Sequence, residues 1–471
     1  MELLPLIVVF PLIMAIIMNI LHGKDKVIEY LTYIIAISLI ILPFLANYGY
    51  YYFGGHGVID GLVSGIAYLY NPAKKIIIIT LAIVASLILI AGMSEKQKNS
   101  MFVTLTLMGF ASVSAIILSD DLFNLYVFFE IISIVQSGLT ILSGTENAYK
   151  AALRYLIIGN AAGALMLLGI GILLANTGTL NITDMKSLLP ENITIYMAML
   201  LLTVGLAYGA GLPPFHNIKA DLYGRAKGFI SAILQTYSKF ILVGILLVML
   251  KLFNGLSIFE NTHAILIALG VFAMVFGVVM ALLQKDYKRL LAYHAISQGG
   301  YVATGIAIGT PLGIVAGVFH AINHVIYKSA LFLGAYIVSH KKGSNLYKLG
   351  GLISVMPFIA FLILCAKLAI SGVPPFNGYQ SKLLLAQAAM QANYPEIAII
   401  MIIVSIGTFV SMMKAFYLIF LKPNNVEELK DFKCPKLAVF SLTVLVALCI
   451  IIGIYPDIVL NYLWKVFGKV L

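Results

Sequence analysis

Long apolar runs dominate this chain and leave it little room to fold in water. Fourteen segments qualify: 2–21, 27–46, 74–93, 100–119, 121–143, 150–175, 193–213, 229–252, 264–284, 290–309, 313–338, 354–391, 396–420 and 437–455. A bilayer-spanning helix needs about 20 mostly apolar residues. Hydrophobic residues make up 61% of the chain and charged ones only 10%, against roughly 45–50% and 25% in a soluble domain. There is too little polar surface for a water-soluble protein. The runs are unbroken rather than alternating, which excludes a membrane β-barrel. The expected fold is an all-α polytopic membrane protein of about 14 transmembrane helices. The first run lacks a basic leader and a small-residue cleavage site, so it reads as a membrane helix. The twelfth is too long for one straight helix, and Pro374 and Pro375 divide it into two half-helices. The loops near 47–73 and 176–192 are the longest, so no soluble domain is expected.

The net charge of +11 could point to nucleic acid, but its distribution is that of a membrane topology signal. Eighteen basic residues fall in the odd-numbered loops, from Lys24 to Lys436, with Lys219 counted among them; the even loops hold Lys186. The positive-inside rule then places the odd loops in the cytoplasm and both termini outside. Cys365, Cys434 and Cys449 are scattered, so neither a disulfide framework nor a metal site is expected.

Gly211-Leu-Pro-Pro-Phe215 recurs as Gly372-Val-Pro-Pro-Phe376, and each copy ends or breaks an apolar run. Pro213, Pro214, Pro374 and Pro375 therefore mark two broken helices. Paired interruptions in corresponding positions of two halves point to a transporter built from repeats. Freed backbone groups at membrane depth are tolerated only inside protein or beside a water-filled cavity.

Charges within the spans are costly, roughly 2.5–3.5 kcal/mol at the bilayer centre on insertion scales, and are normally paired or functional. Glu130 lies nine residues into its span, near mid-depth. Burial disfavours its charge, so it can take up and release a proton; alternatively it pairs with Arg154 on the next helix. Lys239 is mid-span, with little reach for snorkelling. His320, His324 and Lys328 stand at i, i+4 and i+8, on one helix face. Histidine titrates near neutrality, as a proton shuttle must, although membrane histidines also serve as interhelical hydrogen-bonding groups. Lys382 follows the second break and Lys367 precedes it. Lys414 either neutralises a partner or snorkels. Together Glu130, Lys239, His320, His324, Lys328 and Lys382 form a candidate proton pathway, with Lys219, Lys367, Arg154 and Lys414 as accessory candidates.

These residues bring a family into view. The chain resembles the antiporter-like subunits of respiratory complex I, Mrp-type cation/proton antiporters and membrane-bound group 4 hydrogenases, most of all the Mrp D and archaeal hydrogenase branch. The resemblance rests on Asp121-Leu-Phe-Asn-Leu-Tyr-Val-Phe-Phe-Glu130, Ala151-Ala-Leu-Arg-Tyr155, Pro214-Phe-His216, Asp286 to Tyr293 with Ile296-Ser-Gln298, His320 to Lys328, and Gly372 to Gly378 with Ser381-Lys382. It implies two inverted five-helix repeats, each with one broken helix, over 100–252 and 264–420, flanked by 1–99 and 421–471. It also implies proton uptake, storage and release at the six pathway residues. One departure stands out. The family's lysine seven residues before the Pro-Phe-His histidine is replaced by Gly209, which deprives Glu130 of its expected cation. Lys219 is the nearest substitute, but past the break it is expected near the cytoplasmic edge.

The resemblance implies an ion-translocating subunit of a redox-driven pump or of an Mrp-type antiporter. Its partners would be other integral membrane subunits, with peripheral iron–sulfur subunits in the redox setting, and its cargo protons or also Na⁺. No catalytic, cofactor or metal site is expected in the chain itself, which has no cysteine cluster or Walker motif. The alternatives are a self-sufficient secondary transporter, or a scaffold with a degenerate N-terminal half-channel.

Overall fold

The computed structural model describes residues 3–59, 62–95, 99–256, 259–339, 343–424 and 434–468. The loop lysines Lys96, Lys98, Lys341, Lys342, Lys430 and Lys433 and the tail lysine Lys469 lie outside them. In chain order the helices are α1 (Leu6–Ile20), α2 (Asp25–Leu45), α3 (Pro72–Gly92), α4 (Ser100–Leu118), α5 (Leu122–Ile141), α6 (Glu146–Thr177), α7 (Ile182–Leu188), α8 (Ile193–Ala210) and α9 (His216–Arg225). They continue with α10 (Gly228–Phe253), α11 (Phe259–Leu282), α12 (Tyr287–Ala307), α13 (Pro311–Ser339), α14 (Pro357–Ser371), α15 (Asn377–Gln391), α16 (Pro395–Phe416), α17 (Lys436–Ile454) and α18 (Asp457–Phe467).

Each of the fourteen apolar segments falls on helix, and the twelfth on the pair α14 and α15. Among the described residues, eleven helices are long and apolar enough to cross a membrane. Helix α12 is more polar, carrying His294, Ser297 and Gln298, yet Leu290 to Ile308 are all buried. Such a helix need not be apolar, because protein rather than lipid surrounds it. The most enclosed helix is α13, where Gly313 to Val338 are buried without exception. It packs against α10, α12, α14, α15 and α17.

The loop at 47–73 forms an antiparallel hairpin, β1 (Gly49–Ile59) with β2 (Leu62–Tyr70). The sequence holds its signal, Asp-Gly at 60–61 between two runs rich in aromatic and β-branched residues.

Two pairs of elements repeat the same local construction. The Asp121 carboxylate caps α5, accepting from Asn124 N at 2.7 Å, and its backbone bridges to Asn181 after α6. Asp286 caps α12, accepting from Arg289 N at 3.0 Å, and bridges to Asn345 after α13. The breaks match too. Helix α8 ends on Gly211 at φ 74° and α14 on Gly372 at φ 79°, the left-handed conformation that favours glycine. Leu212 N then bonds back to Ala207 O at 2.8 Å, and Val373 N to Leu368 O at 3.1 Å. Two prolines follow in each case, without N–H groups to continue the ladder, and a new helix starts within five residues of the glycine.

Candidate functional site

Helix α13 projects His320, His324 and Lys328 along its length, and all three are fully buried. His320 is held from both sides. Its Nδ1 lies 2.9 Å from Ser381 Oγ on α15, and its Nε2 lies 3.1 Å from Gln298 Oε1 on α12. Tyr327 also donates to Gln298 Oε1, at 3.3 Å. His324 packs edge-on to Tyr327, with ring centroids 5.5 Å apart. Both His324 ring nitrogens and Lys328 Nζ are buried without a hydrogen-bond partner among the described residues. Buried polar groups are rarely left so.

Lys239 reaches this stripe from α10. A Cβ on Gly299 of α12 would collide with its Nζ, so the glycine makes room for the ammonium. Lys239 lies within electrostatic reach of His320, His324 and Lys328. At the other end, Lys382 Nζ donates to Ile370 O at 2.8 Å and Ser405 Oγ at 2.7 Å, and sits 5.2 Å from the Tyr301 ring centre. The Ile370 carbonyl is one that the α14 break sets free from its helix ladder. Lys382 lines an open cavity of about 420 Å³ with Gly372, Ser371, Tyr301 and Ser405. The C-terminal members of the expected pathway are thus brought together.

Glu130 stands apart from them, half-buried on α5, with no hydrogen-bond partner for its Oε1 among the described residues. Its carboxylate rests on Gly163 of α6, where a Cβ would strike it. One turn earlier, Gly159 makes the same room for the Tyr208 and Ser133 hydroxyls, which lie 3.0 Å from each other. Tyr208 donates to Tyr155 O at 2.8 Å and its ring stacks on that of Tyr155 at 4.8 Å. Glu130, Ser133 and Gln136 stand at i, i+3 and i+6 on α5, a polar stripe absent from the sequence-based expectation because neutral polar residues do not stand out in an apolar run.

The accessory candidates separate. Arg154 is exposed on the outer side of α6, and no ion pair to Glu130 forms among the described residues, so the alternative pairing of the two is not seen. Lys414 is exposed and donates to Leu282 O at 3.3 Å, consistent with snorkelling. Lys367 is fully buried, 4.9 Å from the Tyr287 ring centre, with its Nζ unpartnered. Lys219, counted among the loop lysines from the sequence, is instead on helix α9, 1% exposed and turned back into the protein. His294 is a further buried group that the sequence pattern did not single out, with Nε2 2.9 Å from Ser411 Oγ and Lys328, Lys367 and Lys382 within electrostatic reach. Its signal was present, since it directly follows the Asp286–Tyr293 motif.

The model of the NADH:quinone oxidoreductase/Mrp antiporter transmembrane family matches residues 119–411, which span Glu130, both breaks and the α13 stripe. The chain belongs to that family. It is an antiporter-like, multi-pass membrane subunit. An uncharacterized protein of Methanocaldococcus jannaschii is 75% identical over 468 residues, covering 98% of this chain and 97% of that one. The D component of the Na(+)/H(+) antiporter of Alkalihalophilus pseudofirmus is 31% identical over 384 residues, 80% of this chain and 77% of the relative. A chain of the membrane-bound sulfane sulfur reductase, an archaeal respiratory membrane complex, superposes with a TM-score of 0.90 at 26% identity, covering 100% of this chain and 98% of that one.

Proposed function

We propose that the chain carries protons through the membrane interior as one subunit of a multisubunit membrane complex. The observation that carries this reading is the buried row His320, His324 and Lys328 along α13, flanked by Lys239 from α10 and Lys382 from α15, on a helix enclosed on every side. Glu130, which stands apart from that line on α5, is taken as the proton-exchanging acid of the N-terminal half. Such a row costs several kcal/mol of burial, and a scaffold would gain nothing from it.

The organisation is two inverted five-helix repeats, 100–252 and 264–420, flanked by 1–99 and 421–471. The matched caps, bridges and breaks support it. The chain sits in the cell membrane with both termini outside, on the loop charge asymmetry. Its partners are integral membrane subunits. Likeness to a chain of the sulfane sulfur reductase, an archaeal respiratory membrane complex, supports a redox-driven setting, in which peripheral iron–sulfur subunits are the expected partners; likeness to the antiporter D component supports Na⁺/H⁺ exchange.

Two experiments test this. Mild-detergent extraction from native membranes identifies the partners: iron–sulfur subunits point to the redox setting, small hydrophobic subunits alone to exchange. Proton movement by the assembled complex is then measured in membrane vesicles with Lys239→Ala and Lys382→Ala. Native-rate movement in both variants would sink the reading and favour the scaffold. Transport by the isolated chain would favour a self-sufficient transporter.

A further inference from the structure

We propose that Lys219 is the proton-binding group of the N-terminal half, held in a cradle equivalent to that of Lys382 but supplied from after the helix break. The inference rests on the proton-carrying reading above and gives its N-terminal half a cation.

The Lys219 ammonium donates to Gln136 Oε1 at 2.8 Å, Tyr155 Oη at 3.0 Å and Ser238 Oγ at 2.9 Å. These acceptors come from α5, α6 and α10, and together they match the three protons of an ammonium. Two of the three are hydroxyls, which can turn to donate to a neutral amine. The cradle therefore accommodates both protonation states without rearranging a helix. Tyr155, Tyr208 and Tyr223 face the nitrogen with ring centres 4.5, 5.8 and 6.0 Å away. Lys239 lies within electrostatic reach. Among the described residues, no carboxylate forms an ion pair with Lys219.

The likeness to Lys382 is geometric. The Lys219 stem lies against Gly211, where a Cβ would come within 2.7 Å of its Cγ; the Lys382 stem lies against Gly372, with the corresponding distance to Cδ at 2.9 Å. Both glycines are the left-handed residues that end the first half of a broken helix. Each ammonium bonds a serine hydroxyl, Ser238 or Ser405, and each lies near a tyrosine ring. Gly209 explains why the lysine comes from beyond the break. A Cβ there would lie 2.7 Å from Phe129 Cε2 and 3.1 Å from Ile241 Cγ2, so these side chains fill the space where a lysine at 209 would leave α8.

Position also suits the role. Tyr208 donates to the Tyr155 backbone carbonyl and lies 3.0 Å from Ser133 Oγ, and both hydroxyls abut Gly159, one turn of α6 from the Gly163 that faces the Glu130 carboxylate. Ser238 immediately precedes Lys239 on α10. Lys219 stands between the two and bridges them: it takes a proton from the Glu130 side as an amine and yields it toward Lys239 as an ammonium.

The test uses the assembled complex in membrane vesicles, following proton movement with a pH-sensitive dye. Lys219→Met and Lys219→Arg are compared with Lys382→Met. A guanidinium keeps the charge and the donors but does not release its proton. The expected result is a loss of about tenfold or more in both Lys219 variants, with the complex assembled. Native-rate transport in Lys219→Met, or rescue by Lys219→Arg, overturns the proposal, because a structural cation would be replaceable in that way. Loss in Lys382→Met alone refutes only the Lys219 assignment, whereas retention in all three refutes the proton-carrying reading. If Lys219→Met does not assemble, Tyr155→Phe removes one partner and leaves the lysine in place. A shifted pH profile of transport is then expected, and an unmoved one overturns the proposal.

Discussion

His320 Nδ1 and the Ser381 hydroxyl lie 2.9 Å apart, tying the central helix α13 to the helix that follows the second break, one residue before Lys382. The contact fixes one imidazole nitrogen while Gln298 holds the other at 3.1 Å. Ser381→Ala removes one buried partner, worth about 1 kcal/mol, and should slow transport several-fold. His320→Ala removes the imidazole proposed to carry the proton and should slow it by about a hundredfold. Vesicle proton uptake measures both. Equal effects would mean that His320 acts only through its contact with Ser381.

Lys382 separates charge from proton exchange. Lys382→Arg retains a cation able to reach Ser405 and the Ile370 carbonyl, so assembly should survive. Because arginine stays protonated, transport should fall about as far as in Lys382→Met. Dye-monitored uptake beside a native gel of the complex checks this, and transport near the native rate in Lys382→Arg would assign Lys382 a purely electrostatic role.

What the sequence made legible were local properties. Apolar run length revealed the spans, Pro-Pro revealed the breaks, and a charge inside an apolar run revealed itself. The phase of one helix against another is not local. Arg154 shows this: sequence offers it as a partner for Glu130 because it lies on the adjacent helix. The inward face of α6, however, is set by Tyr155, Gly159 and Gly163. Arg154 precedes Tyr155 by one residue, about 100° around the helix, and points outward. The direction of Lys219 was hidden for a similar reason, since a charged residue just past a break reads as a loop residue until the tertiary fold turns its helix inward. Gln136 and Ser238 went unseen, and Gln298 and Ser381 entered only as motif residues, because their importance lies in what they touch.

Gly163 tests the Glu130 position without changing the acid. A Cβ at 163 runs into the carboxylate, whereas the neighbouring backbone is undisturbed in ordinary helix. Gly163→Ala should displace Glu130 and lower transport toward the level of Glu130→Gln, while the complex assembles normally. Gly171, on the same helix with nothing near its Cβ position, is the control: Gly171→Ala should leave transport unchanged. Measuring the three variants in one vesicle preparation decides it, and native activity in Gly163→Ala would show that the Glu130 position is not critical.

The hairpin end of the molecule holds a structural pair. Asp120 is 2% exposed and its Oδ1 lies 2.6 Å from Lys251 Nζ, which also bonds Thr183 Oγ1 at 2.6 Å. The lysine side chain is 27% exposed, so water screens the pair in part. Removing one partner of a fully buried pair costs about 3–5 kcal/mol, and an exposed pair is worth about 0–1. Asp120→Asn should therefore destabilise the chain by about 1–3 kcal/mol, between those limits. Lys251→Met added to Asp120→Asn should recover part of the loss, because it removes the cation left unpaired. Thermal unfolding of the detergent-solubilised protein reads both changes. A double variant less stable than Asp120→Asn by the full cost of Lys251→Met alone would mean that the two residues act independently.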